Sequence, residues 1–166
     1  MTSARPAPIV DGDATLRMLA EADLATTMAW RNHPESRGWF HSTDEISAEQ
    51  HAEWFRRYLG RDDDYVFVLE IAGARVAQVS LYDIRDGAAE FGRLLVDPAA
   101  RGRGVSHRAV ALCLRFASDA LGLRELHLEV KRDNARAIRA YEAAGFRTDD
   151  SGAGAHGSTV MVRELP

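Results

Sequence analysis

The sequence predicts an α/β fold: one mixed sheet with helices packed on its faces. Three observations carry this. An apolar run, Leu94-Leu95-Val96, stops at Asp97-Pro98; a glycine-bearing loop, Arg101 to Ser106, then opens a helical pattern in which Val105, Ala109, Leu112, Cys113 and Phe116 recur at three- and four-residue spacing. Further on, Leu126 to Val130 alternates as a strand, Asn134 suits a helix N-cap, and Gly145 stands where a helix stop favours positive φ. Strand and helix patterns alternate over the whole chain without repeat or linker, as in a layered α/β domain. The 166 residues are enough for a single domain, and a chain of this size buries about 70% of its unfolded surface.

The elements follow in order. Residues 1–12 read as a loose tail, because Ala4, Pro6, Ala7 and Pro8 interrupt any pattern and no apolar signal core is present. Ala14 to Leu19 is a short strand. Ala20 to His33 is a helix with Leu24, Met28 and Trp30 inward, ended by Pro34. Glu35 to Glu45 is irregular. Ser47 and Gln50 form a capping box at the start of a helix whose His51, Trp54, Phe55 and Tyr58 share a face. Tyr65–Ile71 and Arg75–Leu81 form a hairpin about Ala72-Gly73-Ala74. Arg85-Asp86-Gly87 is a turn, and Glu90–Val96 leads to the glycine loop. Val105–Leu121 is the loop's helix, Leu126–Val130 a strand, and Asn134–Ala144 a helix. Phe146–Thr148 and Thr159–Glu164 close the sheet around the Gly-rich stretch from Gly152 to Gly157.

Composition excludes several classes of function. The net charge is −4, and a nucleic-acid binder is usually basic. No apolar run approaches the length of a membrane span. Cys113 is the single cysteine and lies on the apolar face of its helix. It reads as core packing, and its solitude suits a reducing, cytoplasmic setting. The six histidines are scattered without partners at metal-ligand spacing, so no metal is expected.

The loop carries the first chemical signal. The first turn of a helix offers unpaired N–H groups and the positive end of the helix dipole, and small residues let a phosphate come close to them. A diphosphate is the natural ligand. The loop lacks the Lys-Ser/Thr ending of a P-loop and the three-glycine dinucleotide pattern.

Arg101-Gly102-Arg103-Gly104-Val105-Ser106, following a Val-Asp-Pro strand end, resembles the coenzyme A pyrophosphate loop of the GNAT superfamily of N-acetyltransferases, with Ser106 where Gly or Ala is usual. Asn134, Ala137, Tyr141 and Gly145-Phe146 after a strand resemble the second motif of that family. The resemblance implies a GNAT-like, mostly antiparallel sheet over residues 1–166. Its helices flank the sheet, and a splayed strand pair, Glu90–Val96 and Leu126–Val130, holds acetyl-CoA. It also implies a pantetheine arm along the backbone of Leu95 and Val96, a diphosphate on Arg101 to Ser106, a contact from Asn134, and Tyr141 as general acid to the leaving thiolate. A phenol of pKa about 10 is protonated at neutral pH and can donate.

A base must also take a proton from the amine. Glu129 alternates with Leu128 and Val130 at a strand end, and Glu90 is its rival on the preceding strand; Glu129 is preferred. On the acceptor side, Arg31, Trp39, Phe40, His51 and Trp54, with Phe91-Gly92 and Glu129, resemble one branch of the family, the UDP-amino-sugar N-acetyltransferases of the pseudaminic acid pathway. That branch implies Arg31 and His51 beside a nucleotide diphosphate and the aromatics on base and sugar. Cations meet phosphate and aromatics stack on bases. The expected activity is direct acetyl transfer to the amine of a nucleotide-linked amino sugar. The alternatives are transfer to a protein N-terminus, a polyamine or another small amine, or a non-catalytic acetyl-CoA-binding module. A small amine acceptor is the expected partner, and a homodimer is allowed.

Overall fold

The computed structural model describes residues 5–151 and 154–166. Of the expected tail, residues 1–4 lie outside this range, as do 152–153 of the Gly-rich stretch. An eight-stranded sheet has the order β1-β2-β3-β4-β5-β6-β8-β7. Here β1 is Ile9–Asp11, β2 Ala14–Met18, β3 Tyr65–Ile71, β4 Ala74–Arg85, β5 Ala88–Val96, β6 Glu125–Lys131, β7 Arg147–Thr148 and β8 Ser158–Glu164. Every neighbouring pair is antiparallel except β5 and β6. This is the mixed, mostly antiparallel sheet that the sequence implies.

Two segments differ from the sequence reading. Ile9–Asp11 is an edge strand paired with Ala14–Leu16, where a tail is expected. Gly12, at φ +60, opens a two-residue loop with Asp13, and glycine in that first position is what such a hairpin needs. The helix expected from Ala20 to His33 begins as a 3-10 turn, Glu21–Asp23, and continues as α1, Leu24–Asn32. His33 is extended before Pro34 (φ −60, ψ 133), as a residue preceding proline prefers. Pro34 then starts a new short helix, α2 (Pro34–Arg37), inside the stretch read as irregular. In α1 Trp30 is buried, whereas Leu24 and Met28 are half-buried and Thr27 takes the inward position.

Strand alternation divides the core in two. Leu16, Phe67, Leu69, Val79, Leu81, Phe91, Leu126 and Leu128 pack against α4 (Val105–Asp119), with Ala137, Ile138 and Tyr141 of α5 (Ala135–Ala143) at the edge of the cluster. Phe116 of α4 meets Phe67 edge-on at 4.7 Å. On the opposite face Leu19, Val66 and Val68 pack on Phe55 and Tyr58 of α3 (Ala48–Tyr58). Each fully buried Leu or Phe contributes roughly 1.5–3 kcal/mol. Cys113 is fully buried in the larger cluster, and burial pushes its thiol up.

One departure from regular pairing positions the site. β5 and β6 pair only at Ala88↔Glu125, Ala89↔Leu126 and Glu90↔His127, and beyond Glu90 they part. Where they part, the β4–β5 register shifts between Gln78 and Ser80, and Arg93 adopts φ +52. A bulge bends and twists its own strand, and this one lies in the part of β5 that leaves β6.

Candidate active site

The gap between β5 and β6 opens into a cleft of about 710 Å³. Its two ends differ in chemistry. At the C-terminal end of β5, Arg101, Gly102, Gly104, Val105 and Ser106 line it, with Leu95 and Val96 leading in. Gly102 and Gly104 have φ +78 and +71, a region that costs other residues about 1–2 kcal/mol. Gly104 is the N-cap of α4, and no side chain caps that helix among the described residues. The first-turn N–H groups of α4 are therefore free for an anion, with the helix dipole behind them. Leu95 and Val96 pair with Gln78 and Ala77 of β4, while their other edge faces the gap.

Arg101 already has partners here. It forms an ion pair with Glu35 and donates from Nη2 to Ser36 Oγ at 2.9 Å, both residues of α2. On the other side of the cleft Lys131 Nζ donates to the Gly38 carbonyl at 2.9 Å. α2 and the residue after it are thus tied to both walls. Arg103 is exposed and does not line the cleft. Asn134 does line it, while its side chain also caps α5 by accepting from Ala137 N at 3.2 Å.

In the middle of the cleft stands Tyr141. Its ring packs edge-on to Phe91 at 5.9 Å and to Phe146 at 6.0 Å. Burial, with a smaller contribution from Tyr82, leaves its hydroxyl pushed up to about 12. It stays protonated and can donate a hydrogen bond.

Because side chains alternate, Glu90 and Glu129 lie on the sheet face opposite Phe91 and Leu128. Both line the cleft, as do Tyr82 and Asp83 of β4. Burial raises the Glu90 carboxyl above the usual range; the His127 charge pulls it back in part, and Asp83 and Glu129 push it up. Glu129 is exposed, and its Oε1 accepts from Ala155 N at 2.7 Å. Trp39, Phe40 and His41, from the segment after α2, complete this end.

Three residues expected at the acceptor lie elsewhere. Arg31 does not line the cleft: its guanidinium stacks on Phe40 at 4.1 Å, Nη2 donates to the Ser42 carbonyl at 2.6 Å, and Nη1 is buried without a partner among the described residues. His51 lies against Thr27 Oγ1 at 3.2 Å and stacks on Trp54 at 5.3 Å, and Trp54 stacks on Tyr58 at 5.4 Å. Burial lowers the His51 pKa and so favours the neutral ring. These side chains hold α1, α3 and the intervening loop together. Conversely, Tyr82 and Asp83 escape a sequence reading. The available signal was Gly92: a Cβ there would lie 3.0 Å from Tyr82 Oη, so the glycine makes room for that hydroxyl. Among the described residues no group of three or more His, Cys, Asp or Glu is placed to hold a metal. No helix among them is long and apolar enough to cross a membrane.

A family model described as an acetyltransferase (GNAT) domain matches residues 13–147. The chain belongs to the GNAT family. The domain is therefore an acyltransferase domain of the type that uses acetyl-CoA, and the free amides of α4 with Arg101 suit the diphosphate of that donor. This GNAT chain is 28% identical over 137 residues to spermidine N(1)-acetyltransferase of Escherichia coli K12, covering 81% of this chain and 73% of that protein. It is 30% identical over 165 residues to mycothiol acetyltransferase of Mycobacterium ulcerans, covering 86% of this chain and 50% of that protein. Its fold matches that of spermidine N-acetyltransferase from Vibrio cholerae, a complex with CoA and spermine, at a TM-score of 0.83 and 22% identity, over 93% of this chain and 97% of that one. Against an uncharacterized Methanocaldococcus jannaschii protein, 25% identical over 144 residues, the chain spans only 30% of the relative's length.

Proposed function

We propose that this GNAT domain transfers an acetyl group from acetyl-CoA directly to a primary amine of a small cationic acceptor, a polyamine in the first instance. The observation that carries this is the sign of charge at the acceptor end. Asp83, which also meets Arg61 at 3.3 Å, lines it with Glu90 and Glu129, and Arg93, which lines the cleft as well, is paired with Asp64 at 2.8 Å. A diamine or polyamine gains from several carboxylates, while a nucleotide diphosphate is repelled by them. The kinship with spermidine acetyltransferases agrees. The nucleotide-sugar expectation has lost its physical basis, because Arg31, His51 and Trp54 are engaged in packing away from the cleft.

Acetyl-CoA supplies a thioester, an acyl group with a thiol as leaving group. The chain's residues do the rest. Arg101 and the first-turn amides of α4 hold the diphosphate. Leu95 and Val96 present backbone groups to the pantetheine arm. Glu90, rather than the Glu129 preferred from the sequence, takes a proton from the acceptor ammonium and frees the nitrogen lone pair: Glu90 is half-buried, whereas Glu129 is exposed and accepts from Ala155 N. Burial raises the Glu90 pKa, which makes it a stronger base than an ordinary carboxylate. Glu129, at the rim, attracts the cationic acceptor. Tyr141, reaching the gap from the α5 side, donates to the departing sulfur. A thiolate whose conjugate thiol has a pKa of about 8.5 is a weaker base than a phenolate, so Tyr141 acts as a hydrogen-bond donor that keeps its own proton.

The test is a double variant, Asp83→Asn with Glu129→Gln. Losing charge-assisted contacts worth roughly 1.5–3 kcal/mol each should lower kcat/KM for spermidine at least about tenfold, chiefly through KM. The KM for acetyl-CoA and the rate with a neutral monoamine should change little. Equal losses on charged and neutral amines would contradict the electrostatic reading of this end.

A further inference from the structure

His127 has no role in the reaction so far. It is the register partner of Glu90 across the last joined step of β5 and β6, and partners in a parallel pair put their side chains on one face. Its Nε2 lies 2.6 Å from Glu125 Oε1, two residues back on the same face. The His127 and Glu125 side chains are 30% and 40% exposed, whereas Glu90 is half-buried at the cleft. The three residues thus share one face of the sheet, with Glu90 at the cleft and the His127–Glu125 pair more open to solvent.

We propose that His127, oriented by Glu125, is the proton outlet for Glu90. The inference rests on Glu90 being the base. An ammonium acceptor has one proton too many for the overall reaction. Its N–H bond breaks and the proton passes to the Glu90 carboxylate. The freed lone pair forms the N–C bond as the C–S bond breaks, and the second nitrogen-bound proton ends on the thiol. One proton is left on Glu90, and turnover requires that it leave. With Nε2–H given to Glu125, a neutral imidazole keeps Nδ1 as an acceptor. His127 takes the proton at Nδ1 and releases the one at Nε2 to Glu125 or water, which returns Glu90 to carboxylate and the ring to neutral; exchange with solvent then moves the remaining ring proton from Nδ1 back to Nε2 and resets the relay. His127 acts through Glu90 and is a positioning and relay residue; it does not touch the acceptor.

The charges around both groups are accounted for. Glu90 faces Tyr82, Asp83 and Arg85 of β4 and His127 and Glu129 of β6. His127 faces Glu90 and Glu125. Asp149, after β7, also senses its charge. Glu164 of β8 and Arg147 of β7 lie beyond, 3.9 Å from each other.

The experiment is the pH dependence of kcat/KM for spermidine at saturating acetyl-CoA, followed by thiol release, for wild type, Glu90→Gln, His127→Gln and Glu125→Gln. Acetyl-CoA-induced thermal shifts verify that each variant is folded. Removing the nearby imidazole should move the acid limb of the profile upward by roughly one pH unit and lower the rate about tenfold on the acid side of that limb, with recovery at high pH. Glu125→Gln should move the limb in the same direction by less, and Glu90→Gln should abolish it. If His127→Gln superimposes on wild type, or is slowed equally at every pH, while Glu90→Gln loses the limb, the outlet is wrong and the base stands. If Glu90→Gln keeps the wild-type profile, the base assignment fails and the outlet with it.

Discussion

Tyr141 shows how a burial environment refines a role suggested by sequence. Its place between Asn134 and Gly145 suggests chemistry at the sulfur, but only its packing against Phe91 and Phe146 explains why the hydroxyl is held as a firm donor. Tyr141→Phe should lower kcat about 10²-fold, the effect of losing one hydrogen-bond donor to developing charge, with unchanged acetyl-CoA affinity; a wild-type rate would make the residue structural. Asp23 belongs to stability. It is 1% exposed, and Arg17 (2.7 Å) and Arg75 (2.8 Å) both reach it. Burial by itself would raise its carboxyl; the hydrogen bonds from Arg17 and Ala20 N–H and the two arginine charges outweigh that and lower it below the usual 3.8. A carboxyl depressed in the folded state stabilises the fold above the unfolded value and loses that contribution as pH falls through the folded one. The melting temperature should therefore drop as the pH falls below about 4, and Asp23→Ala should flatten that decline while costing roughly 1.5–3 kcal/mol of charge-assisted hydrogen bonding, since Arg17 keeps Glu70 at 2.7 Å. Urea titrations at two pH values would check both. None of this is visible in the sequence, where Asp23 is one of 25 acidic residues.

At the level of elements, the strand–loop–helix of residues 90–119 is where sequence and structure agree best. Both depend on local chemistry: an apolar strand, a Pro that ends it, and glycines that need positive φ. A Cβ at Gly104 would meet nothing within 4 Å, so the protein itself has room for a side chain. Gly104→Val should cost about 1–2 kcal/mol of backbone strain and abolish the acetyl-CoA-induced thermal shift, because the side chain stands where the diphosphate approaches the α4 amides; an intact shift would mean that the loop does not bind it. α2 was not legible, since four residues carry too little periodicity to stand out. Its Glu35 holds Arg101, the side chain proposed to meet the diphosphate. Glu35→Ala should tighten acetyl-CoA binding about two- to fivefold, the size of an exposed ion pair, measured by calorimetry; weaker binding would mean that Glu35 instead orders the loop. The hairpin strand β1 was missed for a different reason: Gly12-Asp13 is a turn signal, but a three-residue strand before it has no pattern of its own.

The whole molecule separates what the chain encodes locally from what it encodes at a distance. The order of strands and helices and the donor end of the cleft follow from residues close in sequence. The acceptor end is assembled from β4, β5, β6 and the segment after α2, and nothing local distinguishes an aromatic that lines it from one that packs helices. Trp39 and Trp54 look alike in the sequence; Trp39 lies at the rim and Trp54 between His51 and Tyr58. Likewise Arg31 serves a loop, while Asp83 and Tyr82, which had no pattern to mark them, reach the cleft. The central claim is that this cleft acetylates a small cationic amine. The most direct measurement is the initial rate of thiol release from acetyl-CoA with spermidine, a neutral monoamine, a free amino sugar and UDP- and dTDP-linked amino sugars at equal concentration. Release should be fastest with spermidine, with acetylated amine formed in equal amount. A preference for any nucleotide-linked sugar, or binding of acetyl-CoA without turnover on any amine, would contradict the account.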